Sequence, residues 1–516
     1  MVHFEKFAGW GNRSDYMSMS SGDAKLMRAI GHELLGRVMP ELQTADARER
    51  VAFVKFVLDC FASDLDVLPE LAANGALRLM AALEQAITLL PEEFPGGSSN
   101  YRQTLDEIAS RKGSAPAQEI SALRALSARL IRALADFSPL QMTQQKKDTI
   151  SNCRSLLCLA DCIWLEDFES AQRHKAQPGR SAESGGVARA ETVTPETLTN
   201  YLRSRFPGAP DITARSVTVV PGGRSKRTIL VALEGGQGLP DEVVMRQDMY
   251  LERNGTTIRD EYEPLKHFSE LGMPVPRPVH FEAEPSELGP PFLFVERIVG
   301  ETPGSYFGMD IACPKAFRDL AAVLARLHRI EPKSAGVLRD PAGGTHGQMD
   351  NRIEEYWSLW RRNSIWPSPV IESAYSWARS ECAATLGTIA LVHGDCGPHN
   401  LLVHDGELTG LLDWEFLHIG DPAEDLGIAR VYAESTIPWK EFIDIYKAAG
   451  GVDVPERRVR LAVVLHYLKG SALVAVSGRN FADGATDDFV KGANSYTGLR
   501  RIEMKIVEFF NQLPIS

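Results

Sequence analysis

The stretch Leu391-Val392-His393-Gly394-Asp395-Cys396-Gly397-Pro398-His399-Asn400-Leu401-Leu402-Val403 decides how this chain is read. Two short apolar runs flank a polar loop that carries an acid and an amide. Asn400 follows Asp395 by five positions, so one loop can present both side chains to one cleft. Leu411-Leu412-Asp413-Trp414-Glu415 comes next, with another acid at the end of an apolar run. Phosphoryl transfer from a nucleotide needs these types of group. A carboxylate accepts or orients a hydroxyl proton, hard oxygen ligands hold Mg²⁺, and positive charge offsets the phosphate oxygens. Asp395, Asn400 and Asp413 are of the right types for the first two tasks.

Upstream of this loop the pattern is that of short strands. Ser216–Val220, Thr228–Leu233, Glu242–Arg246, Val279–Phe281 and Phe292–Val295 are rich in β-branched or aromatic residues and separated by Gly or Pro, which predicts an antiparallel sheet. A helix is expected over about 260–271. From Cys313 onward the spacing of Phe317, Leu320, Leu324 and Leu327, and later of Leu461, Val464, Leu465 and Leu468, is helical. A small β-rich lobe followed by a larger helical lobe is therefore expected. Between the first two strands lies Val220-Pro221-Gly222-Gly223-Arg224-Ser225-Lys226-Arg227-Thr228. It reads either as an ordinary hairpin turn or as a loop whose backbone N–H groups approach phosphate. It is not a Walker loop, because Gly-x-x-x-x-Gly-Lys is absent.

Further out, residues from about Asp23 to Phe168 read as helical. Val51, Val54, Phe56, Val57 and Phe61 form one apolar stretch; Leu77, Leu79, Met80, Leu83 and Ile87 a second; Leu123, Leu126, Leu130, Ile131 and Leu134 a third. The polar, Gly-rich segment 177–186 reads as a flexible linker. The expected division is a helical accessory domain over 1–168, a linker over 169–194, a β-rich lobe over 195–300 and a helical lobe over 301–516. The chain has 516 residues, 44% of them hydrophobic and 24% charged, ordinary values for a globular protein of two or three structural units. The net charge of −12 argues against a dedicated nucleic-acid binder. Seven cysteines at unpatterned spacing suit a reducing, cytoplasmic setting. No signal peptide and no uninterrupted membrane-spanning apolar run is read, so no membrane partner is expected.

The loop around Asp395 resembles that of the aminoglycoside phosphotransferase and choline kinase family, in which His-Gly-Asp-x-x-x-x-Asn replaces the His-Arg-Asp loop of protein kinases. The resemblance covers roughly residues 200–510 and implies an α+β, bilobal protein-kinase-like fold, here preceded by an all-α domain. It implies ATP and Mg²⁺ as cofactors. Carried over, Asp395 would be the catalytic base, Asn400 and Asp413 the Mg²⁺ ligands, and His393 a structural brace. Asp425, in Gly420-Asp421-Pro422-Ala423-Glu424-Asp425, would support the catalytic loop. Gly222, Gly223, Arg224 and Ser225 would cover ATP. Arg246 stands where the family usually has Lys, and would pair phosphates through its fork. Its helical partner would be Glu261, with Glu263 the competitor. Glu296, Arg297 and Ile298 would form the hinge that meets adenine. Arg246 and Met273-Pro274-Val275-Pro276-Arg277 are similar in particular to the phosphotransferase domains fused to acyl-CoA dehydrogenases.

The implied activity is phosphorylation of a hydroxyl on a small molecule, an alcohol or a hydroxyacyl compound. The alternatives are an antibiotic O-phosphotransferase, for an aminoglycoside or a macrolide, and a catalytically silent nucleotide-binding scaffold. A protein kinase is disfavoured, because only eight positions separate Asp413 from Asp421 and leave no room for a long activation segment. Tyr356, Trp357 and Trp360 read either as core packing or, with Glu415, as part of the acceptor pocket. Arg361-Arg362 is either a solvated face or a site for an anionic substrate. Cys153, Cys158 and Cys162 read as buried thiols rather than metal ligands. His399 reads as a loop-packing residue. The N-terminal helices offer a surface for a homodimer.

Overall fold

The computed structural model describes residues 21–42, 45–91, 94, 97–110, 116–137, 143–175, 193–220, 226–236, 238–248, 257–306, 308–335, 344–385, 387–485 and 489–512. Among the described residues the first α-helices are α1 Ser21–Glu33, α2 Ala45–Leu89, α3 Gly97–Ser110, α4 Pro116–Asp136 and α5 Gln144–Lys175. Then come α6 Pro195–Arg205, β1 Thr213–Val220, β2 Lys226–Glu234, β3 Glu242–Asp248, α7 Ile258–Glu270, β4 Pro278–Glu282 and β5 Phe292–Glu296. A short pair, β6 Gly304–Ser305 and β7 Gly308–Met309, leads to α8 Pro314–Leu327, α9 Gly344–Asn363 and α10 Pro369–Ala383. The strands β8 Ala390–Val392, β9 Leu401–His404, β10 Glu407–Leu411 and β11 His418–Gly420 are followed by α11 Ala423–Ala433, α12 Trp439–Ala448, α13 Glu456–Ala482 and α14 Phe489–Asn511.

These elements form two compact units. One gathers Met1–Ser184, Arg352–Glu381 and Tyr467–Ser516; the other gathers Gly185–Asn351 and Cys382–His466. The expected helical lobe over 301–516 is thus shared between them. In the first unit α10 and α14 are tied to the N-terminal helices by buried charge. Arg124 of α4 donates to Asp161 of α5 at 2.6 and 3.1 Å and to Glu503 of α14 at 2.8 Å. Asp161 also accepts the Val370 N–H of α10 at 3.3 Å. The first two apolar stretches of the sequence belong to one helix, α2. It runs on through Gly75, where a Cβ would come within 2.4 Å of the Trp164 ring of α5. Leu79, Leu83 and Ile87 are buried, whereas Leu77 is 52% exposed, because two residues turn a helix to its other side. Helix α5 continues to Lys175, past the expected linker start at 169, since no Gly or Pro interrupts it.

The second unit carries the β-rich lobe. Its sheet is antiparallel in the order β1-β2-β3-β5-β4, as the strand pattern predicts. Phe292 and Phe294 of β5 join Leu198, Tyr201, Ile229 and Met245 on one face. Leu293 and Val295 point the other way and meet Leu265 and Phe268 of α7 and Phe317, Leu320 and Leu324 of α8. The strand is buried on both faces, so its sequence is apolar without alternation. This is a bilobal protein-kinase-like fold with a helical N-terminal region before it. Among the described residues one helix, α13, is long and apolar enough to cross a membrane, and 78% of its apolar window is buried in the protein.

Candidate active site

The polar loop 393–400 lies between β8 and β9 and is held from below by Asp425. The Asp425 carboxylate accepts the N–H groups of His393 and Gly394, both at 2.8 Å, and lies 3.1 Å from His328 Nε2. Burial works against its charge, but these donors outweigh burial and hold the carboxyl below its usual range. Gly394 adopts φ +76°, and a Cβ there would stand 3.0 Å from the Phe416 carbonyl. His393 packs edge-on against Trp414, with ring centroids 4.5 Å apart. Its Nε2 lies 3.0 Å from the Leu412 carbonyl and its Nδ1 accepts the Asp395 N–H at 3.2 Å. Both partners suit a neutral ring protonated at Nε2, and burial pushes its pKa down. His393 thus contacts both acid-bearing segments.

Asp395 is 8% exposed. Asn400 donates its amide nitrogen to the Asp395 carbonyl at 2.9 Å and to its Oδ2 at 3.1 Å. His399 Nε2 lies 3.3 Å from the same Oδ2. With the amide nitrogen so committed, the side-chain oxygen of Asn400 remains as its acceptor. The Leu412 N–H donates to the Asn400 carbonyl at 2.8 Å and pins the hairpin that ends at Asp413. Asp413 itself is left-handed, at φ 61° and ψ 69°, a conformation uncommon outside glycine and tolerated by Asp.

Arg246 of β3 bridges the lobes of this unit. Its guanidinium reaches Glu261 of α7 at 3.0–3.3 Å and Asp413 Oδ1 at 2.8 Å. Burial opposes the positive charge, but Glu261 and Asp413 outweigh it and raise the arginine pKa further. Burial also pushes the Glu261 carboxyl up, against the pull of Arg246. Glu261 is 1% exposed, whereas Glu263 faces solvent, so helix phase selects the partner. Carboxylate oxygens of Glu261, Asp413 and Glu415 lie within 4.8 Å of one another, which places Glu415 beside the arginine cluster. Hard oxygens from Asn400 and Asp413 are of the donor type that Mg²⁺ favours.

At the end of β5 the Glu296 N–H donates to the Arg277 carbonyl at 2.9 Å and the Arg297 N–H to the Glu242 carbonyl at 3.4 Å. The side chains of Glu296 and Arg297 pair with Arg277 and Glu242. Of the three residues expected to form the hinge, Glu296 and Arg297 thus have their N–H groups engaged within the protein, and Ile298 follows them. Gly222, Gly223, Arg224 and Ser225 lie outside the described residues. Trp357 and Trp360 are each 1% exposed, inside the first unit. Trp357 stacks on Tyr375 with centroids 6.0 Å apart, and Trp360 donates to Glu372 at 2.9 Å. Arg361 lies over the Trp357 ring and bonds Asp136 at 2.8 Å. Packing, one of the two readings open for these aromatics, is what is observed; Tyr356 adjoins them on the same helix. Sequence reasoning missed His328, which is buried between Asp425 and the Tyr446 hydroxyl, 2.8 Å away. A histidine directly after the apolar stripe ending at Leu327 was its only signal.

A β-rich lobe, a helix-held arginine on β3 and an acid–amide loop braced from below bring together the types of group that phosphoryl transfer calls for. The model of the phosphotransferase enzyme family matches residues 216–461 of this chain. Acyl-CoA dehydrogenase family member 11 of Gallus gallus is 25% identical over 325 residues, covering 57% of this chain and 40% of that protein. Viomycin phosphotransferase of Streptomyces vinaceus is 29% identical over 185 residues, covering 33% of this chain and 60% of that protein. In both cases the match spans less than two thirds of the relative. Among solved structures, choline kinase LicA from Streptococcus pneumoniae aligns with a TM-score of 0.43 and 18% identity, covering 59% of this chain and 98% of that one.

Proposed function

We propose that this phosphotransferase transfers the γ-phosphoryl group of ATP to a hydroxyl of a small molecule, an alcohol or a hydroxyacyl compound, with Asp395 as the base. The observation that carries this reading is the fixed Asp395 carboxylate. Asn400 addresses one of its oxygens, and Asp425 holds the backbone on which it sits. Asp395 orients the acceptor hydroxyl and takes its proton as the oxygen bonds to the γ-phosphorus and the bond from that phosphorus to the bridging oxygen breaks, releasing ADP. Asn400 and Asp413 would hold Mg²⁺, which supplies charge against the phosphate oxygens when bound. Arg246, positioned by Glu261, would pair phosphate oxygens, and the backbone around Ile298 would meet the base. The likeness to acyl-CoA dehydrogenase family members supports an alcohol or hydroxyacyl acceptor. The likeness to viomycin phosphotransferase supports an antibiotic acceptor as the second reading.

ATP consumption measured against a panel of simple alcohols, hydroxyacyl thioesters and hydroxylated antibiotics tests this. Turnover with the first two groups supports the primary reading. Turnover confined to antibiotics supports the second. ATP binding without turnover of any of them would leave the silent scaffold. Asp395→Asn is expected to lower turnover about 10²–10⁴-fold while Mg·ATP affinity and melting temperature stay close to wild type. A variant that keeps most of its rate removes Asp395 from the role of base.

A further inference from the structure

Lys226 opens β2, directly after Ser225 in the sequence. Register pairs it with Asp248 across β2 and β3, and pairs Thr228 with Arg246. Alternate residues of a strand share a face, so Lys226 and Arg246 lie on the same side of the sheet, the side on which Arg246 meets Glu261. Lys226 is 5% exposed, and its Nζ stands 3.2 Å from Asp248 Oδ1. Its charge reaches Glu261, whose carboxyl it helps pull down.

Two features set this lysine apart from an ordinary buried ion pair. The Arg246 fork is divided between two carboxylates, so much of its charge is already balanced where phosphate would arrive. Asp248 has a second donor, because its Oδ1 also accepts the Ile258 N–H at the start of α7, at 3.0 Å. The helix N-terminus favours that carboxylate with or without the lysine. Lys226 can therefore turn its ammonium to an incoming anion without leaving a bare, partly buried carboxylate behind.

We propose that Lys226 is a second phosphate-binding cation of the nucleotide site, delivering a compact ammonium from β2 beside the forked guanidinium that Arg246 delivers from β3. This rests on the reading of the domain as an ATP-dependent kinase. Calorimetric titration of the full-length protein with Mg·ATP, Mg·ADP and adenosine tests it, in the wild type and in Lys226→Met, Lys226→Gln and Asp248→Asn. Losing one charged hydrogen bond to phosphate should weaken Mg·ATP about tenfold or more in either lysine variant. Adenosine binding should stay unchanged. Lys226→Gln keeps the stem and a donor, and carries the test if the methionine variant does not fold. Asp248→Asn should bind Mg·ATP at least as well as wild type. Equal Mg·ATP affinity in the lysine variants overturns the proposal, as does an Asp248→Asn variant that reproduces their loss, since Lys226 would then act only through Asp248. A wild type that binds none of the three ligands overturns the kinase reading itself, and this proposal with it.

Discussion

Asp395, Asn400 and Asp413 are legible in the sequence because their spacing is local: one loop and one hairpin bring them together with no help from distant segments. His393 is legible for the same reason, and its burial has a measurable consequence. The folded protein keeps its imidazole neutral, below the ordinary value of 6.5. A depressed folded value contributes stability that is present above 6.5 and lost as pH falls below it. Between pH 7.5 and 5.5 wild type should therefore lose more stability than His393→Gln, read by urea denaturation at the two pH values. Equal losses would mean that the ring is already charged in the folded state. The choice between Glu261 and Glu263 was not local. It required the phase of α7 against β3, which neither acid reveals alone.

Helix α11 shows how an element can be placed by a residue that weakens it. Gly427 costs helix propensity, and Ala there would gain about 1 kcal/mol in an isolated helix. Yet a Cβ at this position would stand 2.6 Å from the Ala462 carbonyl carbon and 2.7 Å from the Val463 nitrogen of α13. Backbone cannot rotate away as a side chain can, so the two helices must separate. Gly427→Ala is expected to destabilise the protein by about 1–3 kcal/mol net, measured as a lower urea midpoint. An unchanged or higher midpoint would mean that α11 and α13 do not pack this closely. At this scale the five strands of the β-rich lobe and helix α7 could be anticipated from β-branched runs and turn residues. The merging of two apolar stretches into α2 could not, since a break between them and a continuous helix give the same apolar spacing.

The first unit is assembled from three segments far apart in the chain, and Arg124 stands at their junction. It is 5% exposed and faces Asp161 and Glu503. Removing it would leave two buried carboxylates facing each other. Arg124→Met should cost about 3–5 kcal/mol, read as a large drop in melting temperature, and the double change Arg124→Met with Glu503→Gln should recover part of it. A single variant that melts like wild type would show that these segments are not joined through this cluster. The sequence by itself determined the β-rich lobe and the acid–amide loop, because these depend on short-range spacing and strand patterning. Only the tertiary structure decided which acid holds Arg246, that Lys226 lies beside it, and that helices on both sides of the phosphotransferase domain share one core. The reason is physical. A helix shows in its own periodicity that it has an apolar face, but the partner of that face is set by shape and by the pairing of buried charge across hundreds of residues.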